Sequence, residues 1–444
     1  MNPGMIIGLM GLSFMFFGMV GVQIPFAIMA AVFVGTFFTD VSFSSMVGQL
    51  YNGIDSVPLM AVPFFLLAGE LMASTNVTTR IFNFTRALVG HIKSGLAQVN
   101  TLFSLFFAGM SGSSTADVSA EVRILAPQMR KEGYNPAFSA ALSAGTSTLA
   151  NMIPPSIMGV IYGATGNVSI GGIFLGGVIP GFMIAAGFMI YCYFFNAPPV
   201  KKQRATFVEI SLAAKGAALP MMIPFVIMGG MLSGWFTPTE SGMIAVMYTI
   251  LVVIPILKRD HLSQLPRDMM NAGILYAVPM SCVAGASAFG WLIAYLNAPA
   301  VVSDWIEGIA GTDPLLILFL VVAMFIVIGQ FLDAVPAIII FMPIVSALVE
   351  LGDINPIHMG VIVIITLAFG LITPPYGLSL LLAASLSGVP TKDVLKKTIP
   401  MYGIFLVTLA LLCFFPDLSM GLPRMLLPES VGCFKGADGI YICP

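Results

Sequence analysis

Ser111, Gly112, Ser113, Ser114 and Thr115 lie together between two apolar arms, with Asp117 shortly after them. If the arms fold back on each other, such a loop exposes hydroxyl and backbone carbonyl oxygens, hard neutral ligands suited to Na⁺. The helix that follows points its positive dipole end into the same space, which favours a carboxylate. A second group stands downstream, where Gly145, Thr146 and Asn151 precede Pro154-Pro155. A proline pair forces the residue before it out of the helical region and removes donors, freeing carbonyls one turn earlier. The same features recur as Gly329, Gln330 and Asp333, then Thr366, Thr373 and Pro374-Pro375. Together these residues form the candidate substrate- and ion-binding set. Close helix packing also uses small residues and hydroxyls, but a hydroxyl cluster facing a matching break argues for a site. Asp117 and Asp333 either balance cation charge or cap the helices that follow them, and Glu240 in FTPTESG reads as a cap.

The elements that must position these groups lie in lipid. Of the 444 residues 58% are hydrophobic and only 9% charged, with a mean hydropathy of +1.00, the composition of an integral membrane protein. Apolar stretches long enough to cross a bilayer recur from residue 4 to 416, so an all-α polytopic bundle is predicted. The stretch 4 to 39 reads as a helix pair turning near residue 20, without the features of a removable signal peptide. Further spans are expected at 57–78, 172–196, 217–234, 241–257, 270–297 and 400–416. The regions 98–130 and 314–349 read as re-entrant hairpins, and 137–165 and 357–387 as broken helices. With the N-terminus outside, sixteen of the eighteen Lys and Arg residues face the cytoplasm and only Arg424 and Lys435 stay outside, as the positive-inside rule demands. The C-terminal tail is then periplasmic.

The chain also reads as one unit made twice. Pro63, Gly69, Asp117 and Pro127 have counterparts 216 residues later at Pro279, Gly285, Asp333 and Pro343. Asn135-Pro136, Pro154-Pro155 and Pro180 meet Asn355-Pro356, Pro374-Pro375 and Pro400 at an offset of 220. One small insertion explains the change of offset. The expected organisation is a first membrane repeat over 1–197, a cytoplasmic linker over 198–215, a second repeat over 216–416 and a tail over 417–444. An odd number of crossings in each half makes the repeats antiparallel, with a site at the midplane where the broken helices meet.

Other functions find little support. His91, His261 and His358 are scattered without zinc spacing. A phosphate-cradling GxxxxGK[ST] loop is lacking, so no ATP hydrolysis is expected, and no basic aromatic stripe points to nucleic acid. Mid-membrane polar groups are mostly hydroxyls and amides, which disfavours an enzyme or a proton-pumping subunit. Cys192, Cys282 and Cys413 read as buried hydrophobes. Cys433 and Cys443, in the tail, either form a disulfide outside the membrane or stay free.

The stretches GMSGSSTADVSAE (109–121), IPPSIMGVIYGATGNVSIGGIFLGGVIPG (153–181), FTPTESG (236–242) and LITPPYGLSLLLAASLSGVP (371–390) resemble the large membrane subunit of tripartite ATP-independent periplasmic (TRAP) transporters. The likeness spans the chain to about residue 416. It implies a Na⁺-driven, elevator-type importer of an organic acid anion such as a dicarboxylate or sialic acid. A periplasmic solute-binding protein would deliver the substrate, and a small four-span membrane subunit would complete the complex in the bacterial inner membrane. By the same likeness Ser113, Ser114, Asn151, Thr373 and neighbouring carbonyls would hold Na⁺, with substrate between the hairpin tips. A stand-alone Na⁺/carboxylate symporter of the same architecture is the alternative. The tail beyond 416 departs from the family pattern.

Overall fold

In lipid a backbone polar group finds few partners beyond its own helix, and the chain is helical almost throughout. The computed structural model describes residues 3–75, 77–195, 204–432, 434–435 and 441–442. Helices α1 (Pro3–Met19) and α2 (Ile24–Phe37) are separated by a turn at Gly21, close to the turn expected near residue 20. Next come α3 (Phe43–Ile54) and α4 (Ala61–Ser74), bent by 56° across a 3-10 turn at Pro58–Met60. The chain continues through α5 (Val77–Val89), α6 (Gly95–Ser111), α7 (Ser114–Lys131), α8 (Pro136–Thr146), α9 (Ile157–Gly166) and α10 (Ile170–Phe195). Beyond residue 203 lie α11 (Phe207–Leu232) and α12 (Pro238–Tyr248), the latter running through a π-helical turn into α13 (Ile254–Leu257). The remainder comprises α14 (Leu265–Tyr295), α15 (Ala298–Ala310), α16 (Pro314–Gly329), α17 (Ala334–Leu351), α18 (Pro356–Gly370), α19 (Leu378–Ser387), α20 (Thr391–Phe414) and α21 (Asp417–Leu426). A two-residue ladder, β1 (Phe434–Lys435) with β2 (Tyr441–Ile442), ends the described chain.

Six of these helices are long and apolar enough to cross a membrane, or seven if the bent α3–α4 pair is one span. The protein is a multi-pass helical membrane protein. Local chemistry explains where key helices start. Asn135 and Asn355 each cap the next helix, accepting from Ala137 N at 2.8 Å and Ile357 N at 2.9 Å, with proline at the first helical position. Thr237 and Glu240 form a capping box at α12, Glu240 Oε2 accepting from Thr237 N at 2.7 Å. Glu240 is therefore a cap, as its place before an apolar run suggests.

Several elements differ from the sequence reading. Helix α11 starts at Phe207, inside the stretch expected to be a linker, because Thr206 and Glu209 make a second capping box there. Helices α3, α5, α15 and α21 fall outside the expected spans. They are 10 to 13 residues long and, in α5, α15 and α21, only one face is buried, so no window of span length reveals them. The tail is not loose where it is described: Met420 and Val431 pack on Ile357, and Ser419 Oγ lies 2.6 Å from His358 Nδ1. Asn355 Nδ2 also donates to the Val431 carbonyl at 2.8 Å. Cys192, Cys282 and Cys413 are buried free thiols, while Cys433 and Cys443 lie outside the described residues.

Packing interlocks the two parts of the chain. Helix α19 lies along α7 and α8, and α17 lies along α9. Most of the core is aliphatic and aromatic, but buried polar side chains concentrate on α6, α7, α8 and the residues just after α8. That concentration locates the region of interest.

A candidate substrate and ion site at two broken helices

The first helix pair turns within two residues. Gly112 has a φ of 60° and Ser113 is extended, so α6 ends and α7 begins almost at once. Only glycine fits the first position comfortably: its conformation is left-handed, and a Cβ there would lie 2.2 Å from the Pro155 carbonyl oxygen. The tip of the pair is thus pressed against the break of the next helix. After α8 the chain tightens into a 3-10 turn, Ser147–Asn151, and then leaves helical geometry until Ser156 caps α9. The Pro154-Pro155 bond is cis. Ile157 N donates to the Gly112 carbonyl at 3.3 Å, tying break to tip.

Side chains close this junction. Asn151 Nδ2 donates to Ser114 Oγ at 2.5 Å, and Ser156 Oγ donates to the Asn151 carbonyl at 2.5 Å. Ser111 Oγ donates to Asp117 Oδ1, while Asp117 Oδ2 is buried without a hydrogen-bond partner among the described residues. Ser113 Oγ pairs with Thr115 Oγ1 at 3.0 Å. On α4, Gly69 gives the Ser111 backbone room to approach: a Cβ there would lie 3.2 Å from Ser111 Cα.

The second junction has the same plan with a longer turn. Residues 330 to 333 link α16 to α17, and Asp333 caps α17 by accepting from Ala334 N at 2.9 Å. The helix that follows breaks after Gly370 at a cis Pro374-Pro375 bond, and Gly377 starts α19. Tyr376 N donates to the Gln330 carbonyl at 3.0 Å, and Gly370 abuts Gly329, where a Cβ would lie 2.7 Å from its carbonyl oxygen. Thr373 Oγ1 lies 3.1 Å from the Gly370 carbonyl. Tyr402 of α20 donates to the Ile372 carbonyl at 2.8 Å, and Ser379 Oγ, buried at the start of α19, has no hydrogen-bond partner among the described residues.

The structure therefore gathers Ser111, Gly112, Ser113, Ser114, Asp117, Asn151 and Pro154 at one junction. Gly329, Gln330, Asp333, Thr373 and Pro374 lie at the other. Three residues of the sequence-derived set sit elsewhere. Gly145 makes room for the Phe188 ring of α10, 2.8 Å from where its Cβ would be. Thr366 bonds back to its own helix at Ile362. The Thr146 hydroxyl is engaged by Leu142, Asn100 and Glu121. The paired acids also part company, since Asp333 is a helix cap and Asp117 is not. Sequence reasoning passed over Glu121, Asn100, Tyr402 and Ser379. The acid four residues after Asp117, on the same face of α7, was the one signal that could have flagged the first.

Chemically, the junctions present mostly oxygen donors, with the Cys282 thiol near Asp333 and Tyr376 at the second, and the helices α7, α9, α17 and α19 all begin there. Hydroxyls, bent backbone carbonyls and an orphaned carboxylate oxygen suit a hard monovalent cation, and helix N-termini suit an anion. A cavity of about 10 Å³ lies beside Asn151, Met152 and Ser156, no larger than a water. A groove of about 400 Å³ lies apart from the breaks, between the α9–α10 turn at Asn167 and Ser169 and the α11–α12 turn at Phe236.

Residues 9–418 match the family described as "Tripartite ATP-independent periplasmic transporter, DctM component". The chain is 33% identical to the sialic acid TRAP transporter large permease protein SiaM of Vibrio cholerae, over 96% of this chain and 99% of that protein. It is also 33% identical to the C4-dicarboxylate TRAP transporter large permease protein DctM of Pseudomonas aeruginosa, over 88% of this chain and 91% of that one. In fold it is similar to the YdaH transporter of Alcanivorax borkumensis, with a TM-score of 0.58 at 14% identity over 86% of this chain and 89% of that chain.

Proposed function

The chain belongs to the DctM-component family of tripartite ATP-independent periplasmic transporters, and on that premise we propose that it is the Na⁺-coupled permease subunit of an organic-acid importer. The observation that carries this reading is the pairing of each helix turn with a proline break, Gly112 on Pro155 and Gln330 with Tyr376. Ser113, Ser114, Asn151 and Thr373, with the carbonyls freed at the breaks, are the Na⁺ ligands. Asp117 supplies negative charge near the first of them. The substrate carboxylate sits between the two tips, drawn by the N-termini of α7, α9, α17 and α19. Relatives named for sialic acid and C4-dicarboxylates favour an acid of that kind.

The two halves are inverted repeats. Supporting this, α19 packs on α7 as α17 packs on α9, the exchange expected if a two-fold axis in the membrane plane relates the halves. The unit formed by α6–α10 and α16–α20 slides as one body against α1–α5 and α11–α15, carrying the site across an inner membrane whose periplasmic side holds the N-terminus and tail. A small membrane subunit braces the fixed part, and a periplasmic binding protein delivers substrate. The sites use neither ATP nor an organic cofactor. The tagged chain is tested by purification from its native membrane after mild cross-linking, followed by mass spectrometry. Recovery of a four-span protein and a solute-binding protein supports the tripartite reading, and reproducible recovery of the chain alone favours a stand-alone symporter.

A further inference from the structure

Glu121 is fully buried, one helical turn beyond Asp117 on α7. An ionised carboxylate away from water is costly unless opposite charge or enough donors meet it. Among the described residues no cation faces this one. The elements packed on α7 are α6, α8, the Ser147–Asn151 turn and α19, which contain no titratable side chain, and α4, which brings another acid, Glu70. On α7 itself Asp117 is also an acid, and Arg123, Arg130 and Lys131 are exposed.

The partners of Glu121 are two hydroxyls and an amide. Ser104 Oγ lies 2.6 Å from Glu121 Oε1 and 2.8 Å from the Asn100 carbonyl. Thr146 Oγ1 lies 3.0 Å from Oε2 and 2.9 Å from the Leu142 carbonyl, and it accepts from Asn100 Nδ2 at 2.9 Å. Each hydroxyl has one hydrogen and two acceptors within reach. When Glu121 is ionised, both hydrogens turn to the carboxylate. When it is protonated, a hydroxyl hydrogen turns to its helix carbonyl, and the acid donates its own O–H to the hydroxyl oxygen. Both states are fully hydrogen-bonded without moving a heavy atom.

We propose that Glu121 is a proton-binding site of this carrier, and that cation binding at the α6–α7 tip releases its proton. On release the carboxyl O–H bond breaks, the electron pair stays on Glu121 and the proton passes to bulk water. A cation close to Asp117 stabilises the neighbouring carboxylate across a low-dielectric core, and by reciprocity the proton opposes the cation. None of the four side chains assigned to Na⁺ is a hydrogen-bond partner of Glu121. The release step rests on the Na⁺ reading above, whereas the proton site itself does not.

The test adds NaCl, with choline chloride as control, to the purified full chain with its small subunit in weakly buffered solution containing a pH indicator. About one proton per chain is released in the native protein and none in E121Q, and Na⁺ affinity rises with pH only in the native protein. Sodium binding without proton release overturns the proposal while the Na⁺ reading stands. Loss of release in Asp117→Asn but not in E121Q also overturns it, by moving the proton to Asp117. If Na⁺ does not bind at all, the Na⁺ reading and the release step fall together, and infrared spectra decide the rest. A protonated-carboxyl band present in the native protein and missing from E121Q supports the proton site, and its absence from both overturns it. Should E121Q not fold, Thr146→Val must shift that band, and an unshifted band overturns the assignment.

Discussion

Replacing Gly112 by alanine perturbs the contact between tip and break with the fewest added atoms. The new Cβ would lie 2.2 Å from the Pro155 oxygen, whereas ordinary contact begins at 3.4 Å, so tip and break must separate by 3.4 − 2.2 = 1.2 Å. The obstacle is backbone, which no rotamer change can relieve. Left-handed geometry adds roughly 1–2 kcal/mol for a residue with a Cβ, and overpacking adds about 1–3 kcal/mol. Gly133 isolates the first effect: its φ is 85°, but its Cβ would meet nothing within 4 Å among the described residues. Gly370 isolates the second, with a separation of 3.4 − 2.7 = 0.7 Å from the Gly329 oxygen and no positive φ. Binding constellations tolerate displacements of only about 0.5 Å. Gly112→Ala should therefore abolish Na⁺-induced thermal stabilisation of the purified protein, Gly370→Ala should weaken it, and Gly133→Ala should lower the melting temperature while leaving the Na⁺ shift intact. A Gly112→Ala protein that melts with the full native Na⁺ shift would refute the placement of the ion site at this junction.

Further outcomes follow from the same geometry. Ser113→Leu and Thr373→Leu should each abolish Na⁺-dependent uptake in a folded protein, judged by monodisperse elution, and unchanged Na⁺ dependence in both would remove these residues from the site. Truncation after Pro416 removes two hydrogen bonds worth about 1 kcal/mol each and two buried side chains, Met420 and Val431, worth about 2 kcal/mol each. The shortened chain should melt several degrees lower in scanning fluorimetry, and an unchanged melting point would mean that the tail does not support α18.

The breaks and the hydroxyl cluster are legible in the sequence because proline and glycine leave a chemical mark wherever a membrane helix stops. Asn135-Pro136 and Asn355-Pro356 show this well, since cap and first helical residue stand side by side in both halves. Neighbourhood in sequence is a poorer guide to which way a side chain faces. Gly145 and Thr146 precede a break, yet one meets Phe188 and the other Glu121, because the helix turns its successive residues to different faces. Glu121 is hidden for another reason: its partners Asn100 and Thr146 are 21 and 25 residues away, and only the packing of three helices brings them to it. Helices α5 and α15 escape because they are amphipathic and too short to span a bilayer.

Na⁺-coupled import with substrate delivered by a binding protein can be measured in proteoliposomes holding the chain and its small subunit. Radiolabelled sialic acid and C4-dicarboxylates are offered with and without the binding protein and with and without an inward Na⁺ gradient. One of these acids should accumulate only when binding protein and gradient are both present. Accumulation that persists without the gradient would contradict Na⁺ coupling, and accumulation without the binding protein would contradict the tripartite assignment.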